Sequence, residues 1–174
     1  MKFTFDKDSM MKEIAIAQEI IATKNVTSIL SNVLFIAEDD TLTIKATDIK
    51  VNFETRIPVE VQENGTTTVF CDKLVSILNS LPSGEIEFYH NDTTAIIKPI
   101  SKKVKFQLKS MASDKFPEFA STENVPYFEI PAMELKEMIN QTIFAVSDDE
   151  KRLYMNGIFF EKKEDNLIMV GTDG

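Results

Sequence analysis

The sequence has almost none of the residues on which redox, metal and nucleophile sites are usually built. Its 174 residues include a single cysteine, Cys71, and a single histidine, His90. One cysteine excludes an internal disulfide, and one histidine leaves no partner for a His-rich metal site or a Cys-His dyad. We therefore expect Cys71 to be a small apolar filler at a strand end, and His90, which precedes Asn91 and Asp92, to be a turn residue.

Catalytic motifs are missing as well. The sequence contains no P-loop, no Gly-rich dinucleotide fingerprint, no nucleophile elbow and no zinc-ligand spacing. Neighbouring carboxylates such as Asp39-Asp40 and Asp148-Asp149 have the chemistry to bind Mg²⁺, but acids in turns are far more often simply solvated. We therefore expect no enzyme, no catalytic residue, no bound metal and no cofactor.

Long hydrophobic runs are also missing. The longest apolar runs, such as residues 33–37, are far shorter than the roughly 20 residues that a helix needs to cross a bilayer. The opening Met1-Lys2-Phe3 is followed by charged residues and not by the apolar segment of a secretory signal. The sequence therefore predicts a cytoplasmic protein with no membrane partner.

Positive charge is scarce, and it is unevenly distributed. The net charge of −9 and the pI near 4.7 argue, on average, against non-specific binding to a phosphate backbone. Acids cluster at residues 38–40, 148–150 and 161–165, whereas residues 93–113 carry five lysines and no acid. This segregation indicates that different surfaces of the molecule meet different partners.

Hydrophobic periodicity predicts few helices and many strands. Met10, Ile14, Ala17 and Ile21 share one face of a helix predicted over 9–23. A second short helix contains Leu74, Leu78 and Leu81 and is expected to be capped by Asp72. Alternating or continuous apolar residues predict strands at 2–5, 32–37, 41–47, 49–57, 66–70, 85–89, 93–98 and 102–109. Such a pattern is typical of the α+β class, in which a few helices cover a large antiparallel sheet.

The same order of residues then begins again about 125 positions later. Phe3-Thr4-Phe5, Asn32, Phe35 and Thr47-Asp48 correspond to Phe128-Glu129-Ile130, Asn156, Phe159 and Thr172-Asp173. Between these points the sequence predicts a strand at 127–130, a helix opened by Pro131, and strands at 155–161 and 167–171, after a linker at 116–126. We therefore expect a duplicated domain, with a complete first copy at 1–125 and a truncated second copy at 126–174 of a longer chain.

Several short segments resemble one protein family. They are the opening MKFTF, SILSNVLF at 28–35, LTIKATDI at 42–49, LPSGEIEF at 81–88, KFP at 115–117, YMNGIFFE at 154–161 and VGTDG at the end. Each segment alone is weak, but seven in order are specific. With them the chain resembles the bacterial β sliding clamp, the processivity subunit of DNA polymerase III, along its whole length.

The resemblance implies a function and a set of partners. Family chains have three such domains, and two chains pair head to tail into a ring that encloses double-stranded DNA, with helices lining the hole and sheets forming the outer wall. The implied partners are the DNA polymerase III catalytic subunit, the clamp loader, and repair polymerases that bind through short peptide motifs. A clamp slides, so its lining should offer a few phosphate contacts and no base readout.

The resemblance also implies DNA-contacting residues. Lys24 follows the first helix, Lys73 lies on the second helix, and Arg152 and Tyr154 lie in the loop after the third. The cations would bind phosphate, and the tyrosine would pack against sugar or an unpaired base. The sequence departs from the family at Asp149, where some members have a neutral polar residue, and at Leu153, where an aromatic residue is common. The alternative for each cation is a solvated surface charge.

Two protein-binding surfaces are implied in the same way. The strand predicted at 102–109 is the expected edge of the subunit interface of the homodimer, with Lys103 and Lys105 on one side and Leu108 on the other. The alternative is that these edge lysines only discourage aggregation. Met155, Thr172 and Gly174 match part of the rim of the family's peptide-binding pocket.

Two other functions remain open from the sequence. A β-rich scaffold would use the lysine strand to meet an acidic protein and would never touch DNA. A hydrolase with paired acids is the least favoured. The continuation of the chain separates the clamp from the scaffold, because a clamp requires a basic residue soon after Gly174 and a third copy of the repeat.

Overall fold

The computed structural model describes residues 1–21, 28–121 and 124–174. These residues form two compact units, Met1–Ala120 (unit 1) and Ser121–Gly174 (unit 2). No helix within the described ranges is long and apolar enough to cross a membrane.

The described residues of unit 1 form one 9-stranded antiparallel sheet and two α-helices, with 3-10 turns at Ser28–Ser31 and Ser113–Lys115. Its elements are β1 (Lys2–Asp6), α1 (Lys7–Ile21), β2 (Asn32–Glu38), β3 (Thr41–Thr47), β4 (Asn52–Pro58), β5 (Glu60–Glu63), β6 (Gly65–Phe70), α2 (Cys71–Ser80), β7 (Glu85–Asn91), β8 (Thr94–Pro99) and β9 (Phe106–Met111). The strand order is β4-β3-β2-β6-β9-β8-β7-β1-β5. The predicted α+β class is confirmed.

The core of unit 1 lies between the sheet and the helices. Met10, Ile14, Ala17 and Ile21 are the buried residues of α1, as their spacing predicts. Beneath them three phenylalanine rings from distant strands meet. Phe3 stacks on Phe88 with centroids 4.8 Å apart, and Phe35 meets these rings edge-on at 6.2 and 5.7 Å. Edge-to-face and offset-stacked rings of this kind add to the free energy gained by burial.

Both helices of unit 1 begin earlier than the sequence predicts. The Asp6 carboxylate accepts hydrogen bonds from the Ser9 N–H and hydroxyl, each at 2.9 Å. This bonding makes Asp6 the N-terminal cap of α1. The cap predicted for α2 is wrong, since Asp72 lies inside the first turn and no side chain caps this helix.

Two predicted strands of unit 1 begin several residues too early, and one strand was missed. The strand predicted at 49–57 begins only at Asn52, because Ile49 has a positive φ of 80° that no strand accommodates. The strand predicted at 102–109 runs from Phe106 to Met111. The short strand β5, Glu60–Glu63, was not predicted. His90 is wrongly placed in a turn, since it lies within β7.

The segment 116–119 is part of unit 1 and not of a linker. Phe116 is buried in a second apolar cluster with Ile29, Leu30 and Leu34, and Phe119 packs against it. The Lys45 ammonium lies 5.1 Å from the centre of the Phe119 ring. Consecutive residues of β2 point to opposite faces of the sheet, so this cluster covers the face that α1 leaves open.

The regular elements of unit 2, in the residues that are described, are one α-helix and one β-hairpin. Its elements are α3 (Ala132–Thr142), β10 (Phe159–Lys163) and β11 (Asn166–Val170), with 3-10 turns at Ile143–Ala145 and Leu153–Met155. Residues 127–130, predicted as a strand, are not one, and the strand predicted at 155–161 begins only at Phe159. In the described part of the chain, every buried apolar side chain belongs to unit 1.

Candidate nucleic-acid interface

The first part of the expected interface is the surface shared by α1 and α2. The two helices are neighbours, and Gln18 Nε2 on α1 donates a 2.9 Å hydrogen bond to Asp72 Oδ1 on α2. Lys73 is exposed beside this contact. Lys24, the other expected cation here, lies outside the described residues. The structure therefore brings Lys73 onto a continuous helical surface with α1.

The charges of this helical surface are nearly balanced. Helices α1 and α2 together carry three lysines, Lys7, Lys12 and Lys73, and four carboxylates, Asp8, Glu13, Glu19 and Asp72. One lysine is already paired, since Lys7 Nζ lies 3.4 Å from Asp8 Oδ1. These two helices therefore offer isolated lysines to a polyanion and not a strongly positive field.

The second part of the expected interface is the loop of residues 147–156 in unit 2. The Ser147 N–H donates to the Met155 carbonyl at 2.9 Å, which closes the base of the loop. The Asn156 amide is assigned the orientation that suits its neighbours, which are all carbonyl oxygens, and this places Nδ2 3.0 Å from Ser147 O and 3.1 Å from both Asp149 O and Arg152 O. Such side-chain bonding to carbonyl groups fixes the path of an irregular segment.

Asp149 is bound on both sides within this loop. Its N–H donates to Ser147 Oγ at 3.1 Å, and its Oδ1 accepts from the Lys151 N–H at 2.9 Å. Its other oxygen, Oδ2, accepts from Arg152 Nε at 3.0 Å. The residue that departs from the family pattern is thus the direct partner of the arginine expected to bind phosphate.

The aromatic residue of the loop is free to contact a ligand. Tyr154 is 78% exposed and its neighbour Leu153 is 74% exposed. Both belong to the short 3-10 turn Leu153–Met155. Side chains as exposed as these are not part of a hydrophobic core, so the turn presents both of them to solvent.

The expected rim of the peptide pocket adjoins the same loop. Arg152 Nη1 lies 3.6 Å from Met155 Sδ. A Cβ atom placed on Gly174 would lie 2.8 Å from that Nη1 and 3.6 Å from Met155 Sδ, so only a glycine fits there without displacing the arginine. Gly174 donates its N–H to Thr172 Oγ1 at 3.1 Å. The structure therefore brings Arg152 together with Met155, Thr172 and Gly174, which the sequence had assigned to a different surface.

The residues of the expected subunit interface lie at and before β9. Lys103 and Lys105 are exposed but precede the strand, whereas Leu108 is 8% exposed and belongs to the core of unit 1. Strand β9 pairs with β8 from Phe106 to Lys109 and with β6 only at Ser110 and Met111. Within the described ranges, the edge of β9 at residues 106–109 has no second strand.

The internal repeat is visible in the backbone. Thr47 Oγ1 accepts the Ile49 N–H at 2.9 Å, as Thr172 Oγ1 accepts the Gly174 N–H at 3.1 Å. Ile49 and Gly174 both have positive φ, 80° and 106°. The first hairpin pairs Glu38 with Thr41, and the second pairs Lys163 with Asn166, at the same offset of 125. Bonding, backbone and register thus recur together.

The single cysteine and the single histidine are structural. Cys71 is fully buried at the start of α2, and burial raises the pKa of its thiol to about 12, so the reactive thiolate is strongly disfavoured. His90 Nε2 lies 2.9 Å from Ser110 Oγ. Partial burial lowers the pKa of His90.

Two family models match the chain in succession. The description "DNA polymerase III beta subunit, N-terminal domain" matches residues 1–120, and "DNA polymerase III beta subunit, central domain" matches residues 129–174. The chain belongs to the DNA polymerase III beta subunit family. Both models lie in the order that the repeat predicts, and the family named from the sequence is confirmed.

Other members of the beta subunit family are similar along the whole chain. The beta sliding clamp of Treponema pallidum is 47% identical over 174 residues, which are 100% of this chain and 47% of that protein. A crystal structure of the DNA polymerase III subunit beta of Pseudomonas aeruginosa matches with a TM-score of 0.89 at 28% identity, over 100% of this chain and 47% of that one.

A crystal structure of the DNA polymerase sliding clamp of Bacillus subtilis matches with a TM-score of 0.91 at 25% identity, over 99% of this chain and 47% of that one. The chain therefore spans about half the length of the curated relatives it matches.

Sequence reasoning missed two residues of the loop. Asp149 was noted as a solvated turn acid and as a departure from the family, and Asn156 within the repeat and the segment 154–161, but neither was assigned a role in the loop. Asp149 and Arg152 are three residues apart, a spacing that predicts an ion pair on a helix but not in an irregular loop. No local signal shows that the Asn156 amide nitrogen would lie within hydrogen-bond distance of three carbonyl groups.

Proposed function

We propose that this chain forms part of a sliding clamp that encloses duplex DNA and tethers the replicative polymerase. The observation that carries the proposal is the match of two consecutive beta subunit domains over residues 1–120 and 129–174. The protein is a non-catalytic processivity factor of DNA replication, and it acts by holding the polymerase close to its template. Residues 1–125 form the complete first clamp domain, and residues 126–174 form the N-terminal part of the second.

The DNA contacts of the clamp do not depend on sequence. Lys24, Lys73 and Arg152 bind phosphate, and Tyr154 packs against sugar or an unpaired base. The adjacent helices α1 and α2 support this assignment, since the Gln18–Asp72 bond fixes the surface on which Lys73 is exposed. Few and isolated cations suit a protein that must slide, because every phosphate contact adds to the affinity that sliding has to overcome.

The ring is a homodimer joined at the edge of β9. The open edge at residues 106–109 supports this assignment, since an unpaired strand edge is a template for another strand. Lys103 and Lys105 precede the edge and attract an acidic partner surface. Leu108 is buried within unit 1, so it supports the strand from beneath.

The partners of the clamp are the DNA polymerase III catalytic subunit, the clamp loader and repair polymerases, which bind through short peptide motifs. Met155, Thr172 and Gly174 form part of the rim that receives these motifs. Their close packing in unit 2 supports this assignment. The clamp works in the cytoplasm, where bacterial DNA is replicated.

A retention assay tests this function. The full-length protein is loaded onto nicked circular DNA and onto the same DNA after linearisation. The amount of bound protein is then measured over time. A topological clamp stays on the circle and leaves the linear molecule through its ends. Equal retention on both substrates, or none on either, would instead favour a protein-binding scaffold and reject the clamp.

A further inference from the structure

The loop of residues 147–156 holds its own arginine in place. Asp149 Oδ2 accepts from Arg152 Nε at 3.0 Å, and Arg152 Nη1 turns toward Met155 Sδ at 3.6 Å. The side chains of Asp149 and Arg152 are each 41% exposed, so the pair lies at the surface but is partly shielded. Two sides of the guanidinium are thus occupied by groups of its own loop.

The carboxylate is itself firmly placed. Its Oδ1 accepts the Lys151 N–H at 2.9 Å, and the Asp149 carbonyl accepts the Arg152 N–H at 2.9 Å. Because these bonds fix both the backbone and the carboxylate, little conformational entropy is lost when the ion pair forms. An ion pair of this kind competes more effectively with an external anion than a pair between two freely rotating side chains.

We propose that Asp149 is a positioning residue that holds the Arg152 guanidinium inside the loop and so weakens the grip of the clamp on DNA phosphate. This inference rests on the proposed function. A phosphate that binds Arg152 must either displace the Asp149 carboxylate or share the guanidinium with it. The negative charge of Asp149 also repels that phosphate. The loop thereby limits one of the few contacts that oppose sliding.

A double-mutant cycle on the full-length protein tests this role. Asp149→Asn removes the charge and keeps the size of the side chain, and Arg152→Gln removes the cation. Asp148→Asn is the matched control, because Asp148 is an exposed neighbour that loses the same charge without being bonded to Arg152 in the described bonding of the loop. Binding to a short duplex is measured by fluorescence anisotropy between 50 and 200 mM salt.

We expect Asp149→Asn to strengthen binding about eightfold at 0.1 M salt and to steepen the slope of log K against log salt by about 0.9, the contribution of one additional phosphate contact. Asp148→Asn should strengthen binding less and leave the slope unchanged. In the Arg152→Gln background, Asp149→Asn should have no more effect than Asp148→Asn, since no guanidinium remains to be released.

The outcomes separate this role from the function itself. If Asp149→Asn and Asp148→Asn act alike in the presence of Arg152, or if Asp149→Asn weakens binding, the positioning role is rejected while the clamp remains. If the unaltered protein binds no duplex and is not retained on circular DNA, the clamp and this inference fail together. Circular dichroism of each variant at 25 °C shows whether a change in binding reflects a change in fold.

Discussion

At the scale of single residues, side chains that begin or brace a turn decide more of this structure than isolated surface charges do. Asp6 begins α1 by accepting two hydrogen bonds from Ser9. Asp149 and Asn156 brace the loop that carries Arg152. Each of these residues satisfies backbone N–H or C=O groups that have no partner in a regular helix or sheet. Replacing them therefore removes a local conformation and not only a contact.

The cap at Asp6 gives a prediction for stability. Asp6→Ala should lower the free energy of unfolding by about 1 kcal/mol at pH 7, the usual loss when a capping side chain is removed. The hydrogen bonds from Ser9 lower the pKa of Asp6 below its ordinary value of 3.8. A depressed carboxyl pKa stabilises the folded state above that value, and this contribution is lost as the pH falls through the folded pKa.

Urea unfolding at pH 7 and at pH 2 measures the effect of Asp6→Ala. The deficit of the variant should shrink toward pH 2, because the stabilising contribution of the Asp6 carboxylate is lost as the pH falls through its lowered pKa. Asp6→Asn is one control, because an amide caps a helix at either pH. Asp8→Ala is a second, since Asp8 lies in the same first turn without the bonds to Ser9. Equal losses for Asp6→Ala and Asp8→Ala would show that charge and not capping is responsible.

At the scale of elements, the connection between β3 and β4 is held in a strained conformation by several hydrogen bonds. Ile49 has a φ of 80° and a side chain that is 70% exposed. Asp48 Oδ1 accepts the N–H groups of Lys50 and Val51 at 2.9 and 2.7 Å, and Thr47 Oγ1 accepts that of Ile49 at 2.9 Å. These bonds hold a β-branched residue in a conformation that glycine adopts far more easily.

This constraint predicts that Ile49→Gly stabilises unit 1. The substitution removes the Cβ that is strained at positive φ and gives up little buried surface, so we expect a gain of about 1 kcal/mol in the free energy of unfolding. Val51→Gly is the control, because Val51 is exposed in the same connection but its φ is not positive. Val51→Gly should lower stability by about 0.5–1 kcal/mol.

Urea unfolding of both variants at pH 7 decides between strain and simple flexibility. If Ile49→Gly lowers the transition midpoint as much as Val51→Gly does, Ile49 is not strained in the folded protein. The repeat supports the expected gain, since the corresponding residue 125 positions later is a glycine, Gly174, with a φ of 106°.

At the scale of the whole molecule, buried apolar surface is distributed very unequally. Every buried apolar side chain of the described residues lies in unit 1, Met1–Ala120. Unit 2 leaves Phe144, Leu153 and Phe159 largely exposed. Burial of apolar area is the main favourable contribution to folding. The two units therefore differ in their ability to fold alone.

We predict that residues 1–120 fold cooperatively when they are expressed alone. Residues 121–174 should show no cooperative transition, because they bury too little apolar surface to offset the loss of chain entropy. Circular dichroism during urea titration and the dispersion of amide NMR signals measure both. A sharp unfolding transition for 121–174 would contradict this account.

The proposed clamp function predicts the effect of reversing the charge of the expected DNA-contacting residues. A variant that combines Lys24→Glu, Lys73→Glu and Arg152→Glu should be retained on circular DNA for a shorter time. The slope of log K against log salt for duplex binding should flatten by about 2.7, since each lost phosphate contact removes about 0.9. Lys50→Glu, Lys98→Glu and Lys115→Glu change the charge of three other exposed lysines by the same amount. Unchanged retention in the first variant, or equal loss in both, would remove Lys24, Lys73 and Arg152 from the DNA-contacting surface.

The sequence by itself determined the class of fold, the repeat and most of the elements. These features depend on the order and spacing of residues along the chain, as in the stripe Met10, Ile14, Ala17 and Ile21, whose spacing alone defines a helix face. The family was also readable from seven short segments, because their order and spacing are properties of the chain.

Only the tertiary structure decided where elements end and which side chains meet. The start of β4 depends on the positive φ of Ile49, and the free edge of β9 depends on how far β6 reaches along it. Arg152, Met155 and Gly174 come together because the loop of residues 147–156 and the segment that follows β11 lie against each other in unit 2. Such contacts follow from pairing between distant segments, which the periodicity of one segment does not encode.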